Sequence, residues 1–286
     1  MVKIERNAGW PRSRLRVNLW QLLAGLGLIL TILGLVFPFF WMVLTSLKSR
    51  ADVLAFPPVW VFEPSLDNYR EALSRVDVVS SLLNSLFVAT TSTFLALLVG
   101  TPAAYALARW EWRAKRELMF WIISHRFMSP IALALPYFLI ARTLGVLDNP
   151  WFLVAIYLTF NLPIVVWIVM DQFRIIPREL DEAALVDGAT PFGVFVRVAL
   201  PLALPGVVVS GILSFIFSWN ELLYALLLTR DTARTAPVAA TAFMSGYDLP
   251  WGEIMATGTL IVLPVIVFAL FVSRHLVRGL TLGAIK

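Results

Sequence analysis

An acidic stretch of nine residues interrupts a chain that is otherwise mostly apolar. Its acids are Glu179, Asp181, Glu182 and Asp187. Pro177 suits a first helical turn, the acids that follow lie where a helix dipole favours negative charge, and Gly188 can adopt the left-handed conformation that ends a helix. Thr190 and Pro191 then fit the cap and the first position of another helix. The spacing predicts two short helices separated by a glycine break.

Isolated polar residues inside apolar segments form a second group of candidates. A charge at the centre of a membrane span costs about 2.5–3.5 kcal/mol, so Arg126 should face a cavity or a partner. Trp219 precedes Asn220 and Glu221, which places an aromatic ring beside a polar pair that could bind a sugar. Each has an alternative interpretation: Arg126 could pair with a helix carbonyl or extend towards the interface, and Trp219 could belong to an interfacial aromatic belt.

The sequence lacks the usual signatures of an enzyme or a metal site. It has no cysteine and only two histidines, so a thiolate or histidine-rich metal site is excluded. It contains no H-E-x-x-H and no nucleophile elbow. It also lacks the G-x-x-x-x-G-K-[ST] loop that binds nucleotide phosphates. We therefore expect no catalytic residue, no metal and no cofactor bound by this chain.

The elements that carry these residues are predicted to be membrane helices. The chain has 286 residues, of which 59% are hydrophobic and 14% charged, and its mean hydropathy is +0.82. This composition indicates an all-α integral membrane protein, because about 20 apolar residues cross the bilayer as a helix. The six predicted spans are residues 19–47, 78–108, 118–141, 149–170, 198–228 and 254–273.

The distribution of basic residues predicts the orientation of these spans. With the N-terminus inside, the cytoplasmic segments hold 15 of the 23 Lys and Arg residues and the outer segments hold seven, as the positive-inside rule requires. Residues 1–17 and 276–286 are then cytoplasmic tails that flank a transmembrane domain at 18–275. Residues 171–197 are exceptional, since five acids against three bases give this predicted inner loop a net charge of −2. We therefore expect this loop to have a role other than setting the orientation of the spans.

Several stretches resemble one family of membrane proteins. Glu182-Ala183-Ala184, then Asp187-Gly188-Ala189, Leu200-Pro201 and Pro205-Gly206, are similar to the EAA loop of permease subunits in bacterial and archaeal ABC importers. The segments "FPFFWMVLTSLKSRADVLAFPPVWVFEPSLDNYREAL" and "NSLFVATTSTFLALLVGTPAAYALAR", with the ending "LVRGLTLGAIK", resemble sugar permeases, specifically the second permease subunit of maltose-type systems.

The resemblance implies a type I ABC importer permease fold with a cytoplasmic coupling helix, in the cytoplasmic membrane of a bacterium or archaeon. Residues 171–203, named here the coupling loop, would dock on a separate cytoplasmic ATPase dimer, which holds the ATP and Mg²⁺. The residues implied in coupling are Glu179, Glu182, Ala183, Ala184, Asp187, Gly188, Ala189 and Pro201. Further implied partners are a second, homologous permease, an extracytoplasmic sugar-binding protein and membrane lipid, but no nucleic acid.

The implied function is import of a sugar or polyol by alternating access. The candidate pathway residues are Arg126, Tyr137, Asn161, Trp219, Asn220, Glu221 and Tyr247. Two alternatives remain: a permease for another solute such as glycerol phosphate, and an ion-coupled secondary transporter. The secondary transporter is disfavoured because it would need acidic residues deep in the spans and an internal repeat, and neither is evident in the sequence.

Overall fold

The computed structural model describes residues 19–75, 77–244 and 249–281, and these residues form helices and no strand. The helices are α1 (Leu19–Ser46), α2 (Arg50–Leu54), α3 (Asp67–Arg75), α4 (Val78–Arg109), α5 (Lys115–Phe127), α6 (Pro130–Leu144), α7 (Pro150–Ile175), α8 (Arg178–Val186), α9 (Pro191–Val194), α10 (Leu200–Trp219), α11 (Leu223–Leu228), α12 (Ala236–Thr241) and α13 (Trp251–Thr281). The all-α fold is thus confirmed.

Five helical segments in the described residues are long and apolar enough to cross a membrane. The expected third span, 118–141, is instead two helices, α5 and α6, which meet at an angle of 97° and count as a sixth span only if taken together. The break has a local cause. Pro130 occupies the first turn of α6, and its ring disfavours a helical conformation at the preceding residue, so Ser129 is extended with ψ of 126°.

The expected fifth span, 198–228, also differs from the observed helices. A helical segment runs from Pro191 to Trp219, and it includes a π-helical turn at Phe195–Ala199 just before Pro201. The chain turns at Asn220 and resumes as α11. Side-chain oxygens of Glu221 accept hydrogen bonds from backbone N–H groups in the first turn of α11, which stabilises the new helix start.

The centre of the protein is a bundle of α4, α7 and α10. These helices approach closely at glycines: a Cβ atom added at Gly100 would lie 2.7 Å from a Val165 methyl carbon, and one at Gly206 would lie 2.8 Å from Gln172 Cβ. Helix α1 packs mainly against α13 at the edge of the bundle. The described pathway and coupling candidates lie on α5, α6, α7, α8 and α10 or directly after α8 and α10, and none lies on α1.

The loops predicted to lie outside meet on one face of the bundle. The Asp148 carboxylate accepts hydrogen bonds from the backbone N–H groups of residues 230–233 and from the Thr232 hydroxyl. This cluster is called the Asp148 clamp. Partial burial raises the pKa of Asp148, but the hydrogen bonds together outweigh it and hold the pKa well below its ordinary value. The carboxylate therefore remains ionised and joins the α6–α7 loop to the segment after α11.

Candidate functional site

The coupling loop includes the end of α7 and the start of α10, and between them it forms two short helices separated by a glycine turn, followed by the π-helical turn. Helix α8 begins after Pro177 and ends at Val186. Gly188 has a φ of 86°, in the left-handed region that favours glycine. The Thr190 hydroxyl then caps α9 by accepting a hydrogen bond from the Gly193 N–H at 3.1 Å. These observations confirm the predicted helix–glycine–helix pattern.

The surface of the coupling loop combines apolar and acidic side chains. Val186 and Phe192 are 87% and 73% exposed. The other exposed members include Glu179, Glu182, Ala183, Asp187 and Gly188. Ala184 and Ala189 are half-buried, and Pro201 is exposed in the first turn of α10. Exposed apolar side chains rimmed by polar ones are typical of a surface that binds another protein.

Asp181 is the one residue of α8 that is buried. Its Oδ2 atom accepts a hydrogen bond from Arg109 Nε at 2.7 Å and another from the Tyr105 hydroxyl at 3.1 Å. Arg109 Nη1 also donates to the Ile176 carbonyl at 3.1 Å. The three side chains Tyr105, Arg109 and Asp181 are called here the Arg109–Asp181 tie. They join the coupling loop to the last turn of α4.

Sequence reasoning did not assign the tie, because Arg109 and Asp181 are 72 positions apart and no motif connects them. The available signal was weak. Arg109 is the first charge after the second apolar run, and Asp181 lies in an acidic loop on the same predicted side of the membrane. Opposite charges on one side are compatible with pairing but do not specify which acid is the partner.

A cleft of about 180 Å³ lies among α5, α6, α7, the end of α10 and α11. Arg126 lines it, and its guanidinium carbon is 4.8 Å from the centre of the Phe217 ring. Glu221 lines the same cleft, with Phe160 and Tyr224 as aromatic walls. The structure thus brings together two of the predicted pathway residues, although they are 95 positions apart in the sequence.

The Glu221 carboxylate is held by neighbouring groups. The Tyr157 hydroxyl donates to Oε2 at 3.0 Å, and the backbone N–H groups of Tyr224 and Ala225 donate to Oε1 and Oε2. These bonds connect α7 to α11 and fix the carboxylate at the edge of the cleft. Tyr137 packs its ring 5.5 Å from that of Tyr224, so a third predicted residue lies beside this aromatic wall.

The remaining pathway candidates lie elsewhere. Asn161 is fully buried and donates to Ser218 Oγ at 2.8 Å, which joins α7 to α10. Trp219 is 2% exposed and stacks on Phe215 in a separate apolar cluster. Asn220 is exposed, with its side chain bonded to a carbonyl of its own helix. Tyr247 lies outside the described residues. The expected grouping of Trp219 with Arg126 is therefore not observed.

Within the three described ranges, no group of three or more His, Asp or Glu residues is arranged to hold a metal ion. The chemistry available at the two candidate sites is hydrogen bonding, charge and aromatic contact. The coupling loop could bind a protein surface. The cleft could bind hydroxyl groups, which accept from Arg126 and donate to Glu221.

Comparison with known proteins identifies the family. Residues 17–282 match the family described as the binding-protein-dependent transport system inner membrane component. The chain belongs to this family. The permease is 40% identical over 269 residues to the trehalose transport system permease protein SugB of Mycobacterium tuberculosis, across 86% of this chain and 97% of that protein. It is 32% identical over 270 residues to the trehalose/maltose transport system permease protein MalG of Thermococcus litoralis, across 93% and 97% of the two chains.

A solved structure shows the same fold. It is a bacterial ABC transporter involved in the import of the acidic polysaccharide alginate, and the permease superposes on one of its chains with a TM-score of 0.75. The superposition covers 94% of this chain and 99% of that chain at 22% sequence identity. The predicted ABC importer permease fold is confirmed.

Proposed function

We propose that this permease imports a sugar or polyol across the cytoplasmic membrane by alternating access, driven by ATP hydrolysis on a separate subunit. The family establishes a binding-protein-dependent permease. The sugar assignment is supported by the relatives named for trehalose and maltose transport, each aligned over more than four-fifths of this chain. One observation supports a separate ATPase subunit: the chain has an exposed coupling loop but no phosphate-binding motif of its own.

The coupling loop is the surface proposed to bind the ATPase dimer, on which ATP and Mg²⁺ would lie. Val186 and Phe192 offer the apolar centre of an interface, and Glu179, Glu182 and Asp187 offer a charged rim. Apolar anchors surrounded by polar contacts supply most of the binding energy in known protein interfaces. This loop therefore has the composition expected of a docking surface.

The cleft is proposed as part of the substrate pathway. Arg126 offers donors, Glu221 offers acceptors, and Phe160, Phe217 and Tyr224 offer apolar ring faces. A neutral polyhydroxylated ligand can use all three kinds of contact. One arginine beside a carboxylate is a poor trap for an anion, because the carboxylate repels it. These contacts favour a neutral sugar over a phosphorylated or carboxylated solute.

The proposed assembly also contains a second, homologous permease and an extracytoplasmic binding protein, with both termini of this chain in the cytoplasm. The family description itself specifies dependence on a binding protein. The orientation is supported by the distribution of basic residues, and the described loops are sorted onto two faces in the way that the predicted spans require. The loop of Asp148 meets residues 230–233 on one face, and Arg109 meets Asp181 on the other.

Co-purification tests the ATPase-docking proposal. Val186→Arg should lose the ATPase subunit, because a charge replaces an apolar contact at the centre of the interface. Val61→Arg is the matched control, since Val61 is similarly exposed, at 93%, on the opposite face. If the ATPase still co-purifies with Val186→Arg as with the native permease, the docking surface is not the coupling loop.

Uptake into vesicles that contain the complete importer and its binding protein tests the substrate class. A neutral sugar or polyol should be transported, and Arg126→Gln should weaken its uptake. Uptake of an anionic solute alone, abolished by Arg126→Gln, would contradict the proposed neutral substrate.

A further inference from the structure

The attachments of α8 to the rest of the permease converge on one short segment. Arg109 bonds to Asp181 and to the Ile176 carbonyl, Tyr105 bonds to Asp181, and Arg178 Nη2 donates to the Ala108 carbonyl at 3.3 Å. All four bonds connect residues 176–181 with residues 105–109 at the end of α4. Within α8 itself, every other side chain is exposed or half-buried. The Arg109–Asp181 tie is therefore the main side-chain anchor of this helix.

The electrostatics of the tie favour this pairing. The side chains of Arg109 and Asp181 are only 7% and 11% exposed, so solvent screens their attraction weakly. Arg109 lies in the last turn of α4 and Asp181 in the first turn of α8, where the helix dipoles favour a cation and an anion respectively. Both charges and both helix ends are therefore stabilised by the same contact.

The tie continues into the core of the bundle through Tyr105. The Tyr105 ring lies 5.1 Å from Phe173 near the end of α7 and 5.1 Å from Phe195 just before α10. Helix α4, which carries Tyr105 and Arg109, is also the helix that packs most extensively against α7. Because packed interiors transmit displacement with little loss, a movement of α8 would reach all three central helices.

The pair also has hydrogen-bonding capacity that the observed geometry leaves unused. Arg109 Nη2 and Asp181 Oδ1 are buried and have no hydrogen-bond partner among the described residues. Arginine and a carboxylate commonly pair through two parallel bonds, but here a single Nε–Oδ2 bond is made. The tie can thus tighten to a two-bond contact while α8 remains attached.

We propose that the Arg109–Asp181 tie makes α8 and α4 move as one body, so that displacement of the coupling loop by a bound ATPase is delivered to the pathway helices. This inference rests on the proposed docking function of the coupling loop. Arg109 and Asp181 are positioning residues: they do not contact the ATPase or the substrate. Their role is to pass movement of the bound ATPase on to the helices of the central bundle.

Reconstituted complete importer, with binding protein and sister permease, provides the test. Asp181→Asn and Arg109→Gln should keep the ATPase bound, because the exposed docking side chains are unchanged. Sugar uptake should fall by about tenfold or more, while ATP hydrolysis falls much less, so the ATP consumed per sugar rises. Asp67→Asn is the matched control, since Asp67 pairs with Arg70 in an exposed ion pair at 3.2 Å that contributes little.

A cross-link separates positioning from a purely structural contribution. The chain has no cysteine, so Arg109→Cys combined with Asp181→Cys can be bridged by cleavable thiol reagents of graded length in an importer with cysteine-free partners. The bridged form should recover uptake, and reduction should abolish it again.

Three results would overturn the inference. The first is that both single variants couple ATP hydrolysis to uptake normally. The second is that the double-cysteine variant transports equally well with and without the bridge, at every reagent length. The third is that both single variants lose the ATPase. The last result would leave the docking proposal intact and show that the tie only shapes the docking surface. Retention of the ATPase by Val186→Arg would instead reject the docking proposal itself.

Discussion

On each face of the permease an aspartate joins two segments of the chain, but the two aspartates use different partners. Asp148 accepts from four consecutive backbone N–H groups and a hydroxyl. Asp181 instead pairs with the charged side chain of Arg109 and with Tyr105. Backbone donors are fixed by the path of the chain, whereas side-chain donors can reorient. This difference indicates that the Asp148 clamp holds its two loops in a fixed arrangement. The Arg109–Asp181 tie, in contrast, can adjust while it passes movement of α8 to α4.

Thiol labelling gives the largest expected effect, because it tests which face of the permease is cytoplasmic and which is external. Glu111→Cys and Asp231→Cys place a thiol at positions whose native side chains are 74% and 87% exposed and which lie outside the proposed docking surface. In intact cells a membrane-impermeant thiol reagent should label Asp231→Cys and leave Glu111→Cys unlabelled until the membrane is permeabilised. Labelling of Glu111→Cys in intact cells would show that the proposed orientation is wrong.

Removing the Asp148 carboxylate should give the largest change in stability. Asp148→Ala loses five hydrogen bonds to an ionised group, and we expect the free energy of unfolding to fall by about 2–4 kcal/mol. Thermal unfolding of the purified permease measures this. Asp77→Ala is the control: Asp77 caps α4 through Ser80, and loss of this exposed cap should lower the stability less. Equal losses in the two variants would show that the clamp is an ordinary cap.

Two glycines of the described residues have a left-handed conformation, and substitutions there compare the two faces by their effect on transport. Gly145 and Gly188 have φ values of 67° and 86°, and at both positions a Cβ would meet no atom within 4 Å. Valine at either position therefore introduces backbone strain of about 1–2 kcal/mol without a clash. Gly188→Val should reduce sugar uptake by about tenfold, whereas Gly145→Val should leave coupling unchanged. Similar uptake by both variants would remove the special role of the coupling loop.

The smallest expected effect is the pH dependence of the Asp148 clamp. Because the pKa of Asp148 is lowered on folding, its contribution to stability is complete above the unfolded pKa of about 3.9 and is lost as the pH falls towards the lower folded value. The stability difference between the native permease and Asp148→Asn should be constant from neutral pH down to about 5. It should shrink below about 4. A difference independent of pH would show that the carboxylate charge is not what holds the clamp.

Local chemistry allowed part of this architecture to be predicted from the sequence. Hydropathy located the apolar segments, since crossing a bilayer requires long uninterrupted runs. The helix–glycine–helix form of the coupling loop followed from Pro177, Gly188 and Thr190, because each acts on its own turn of backbone. The family resemblance was carried by the same stretch and by several others.

Long-range contacts could not be predicted in the same way. The bond from Arg109 to Asp181 spans 72 positions, and those from residues 230–233 to Asp148 span 82 to 85. The clamp uses backbone donors, which every residue except proline carries, so no side-chain pattern marks it. Trp219 was grouped with Glu221 by adjacency, but its ring turns into the Phe215 cluster. Residues that are adjacent in sequence can therefore have side chains that pack on different sides of a helix bundle.

The peripheral position of α1 affects how the protein can be made. Its span has the highest mean hydropathy of the five candidates, 2.4, and none of its most apolar stretch is buried, whereas 56% of that stretch of α7 is. A helix like α1 is stable in lipid alone, while α7, with Asn161 in its interior face, gains from α4 and α10. During synthesis α1 can therefore leave the insertion machinery early and retain the growing chain in the bilayer until the later helices assemble.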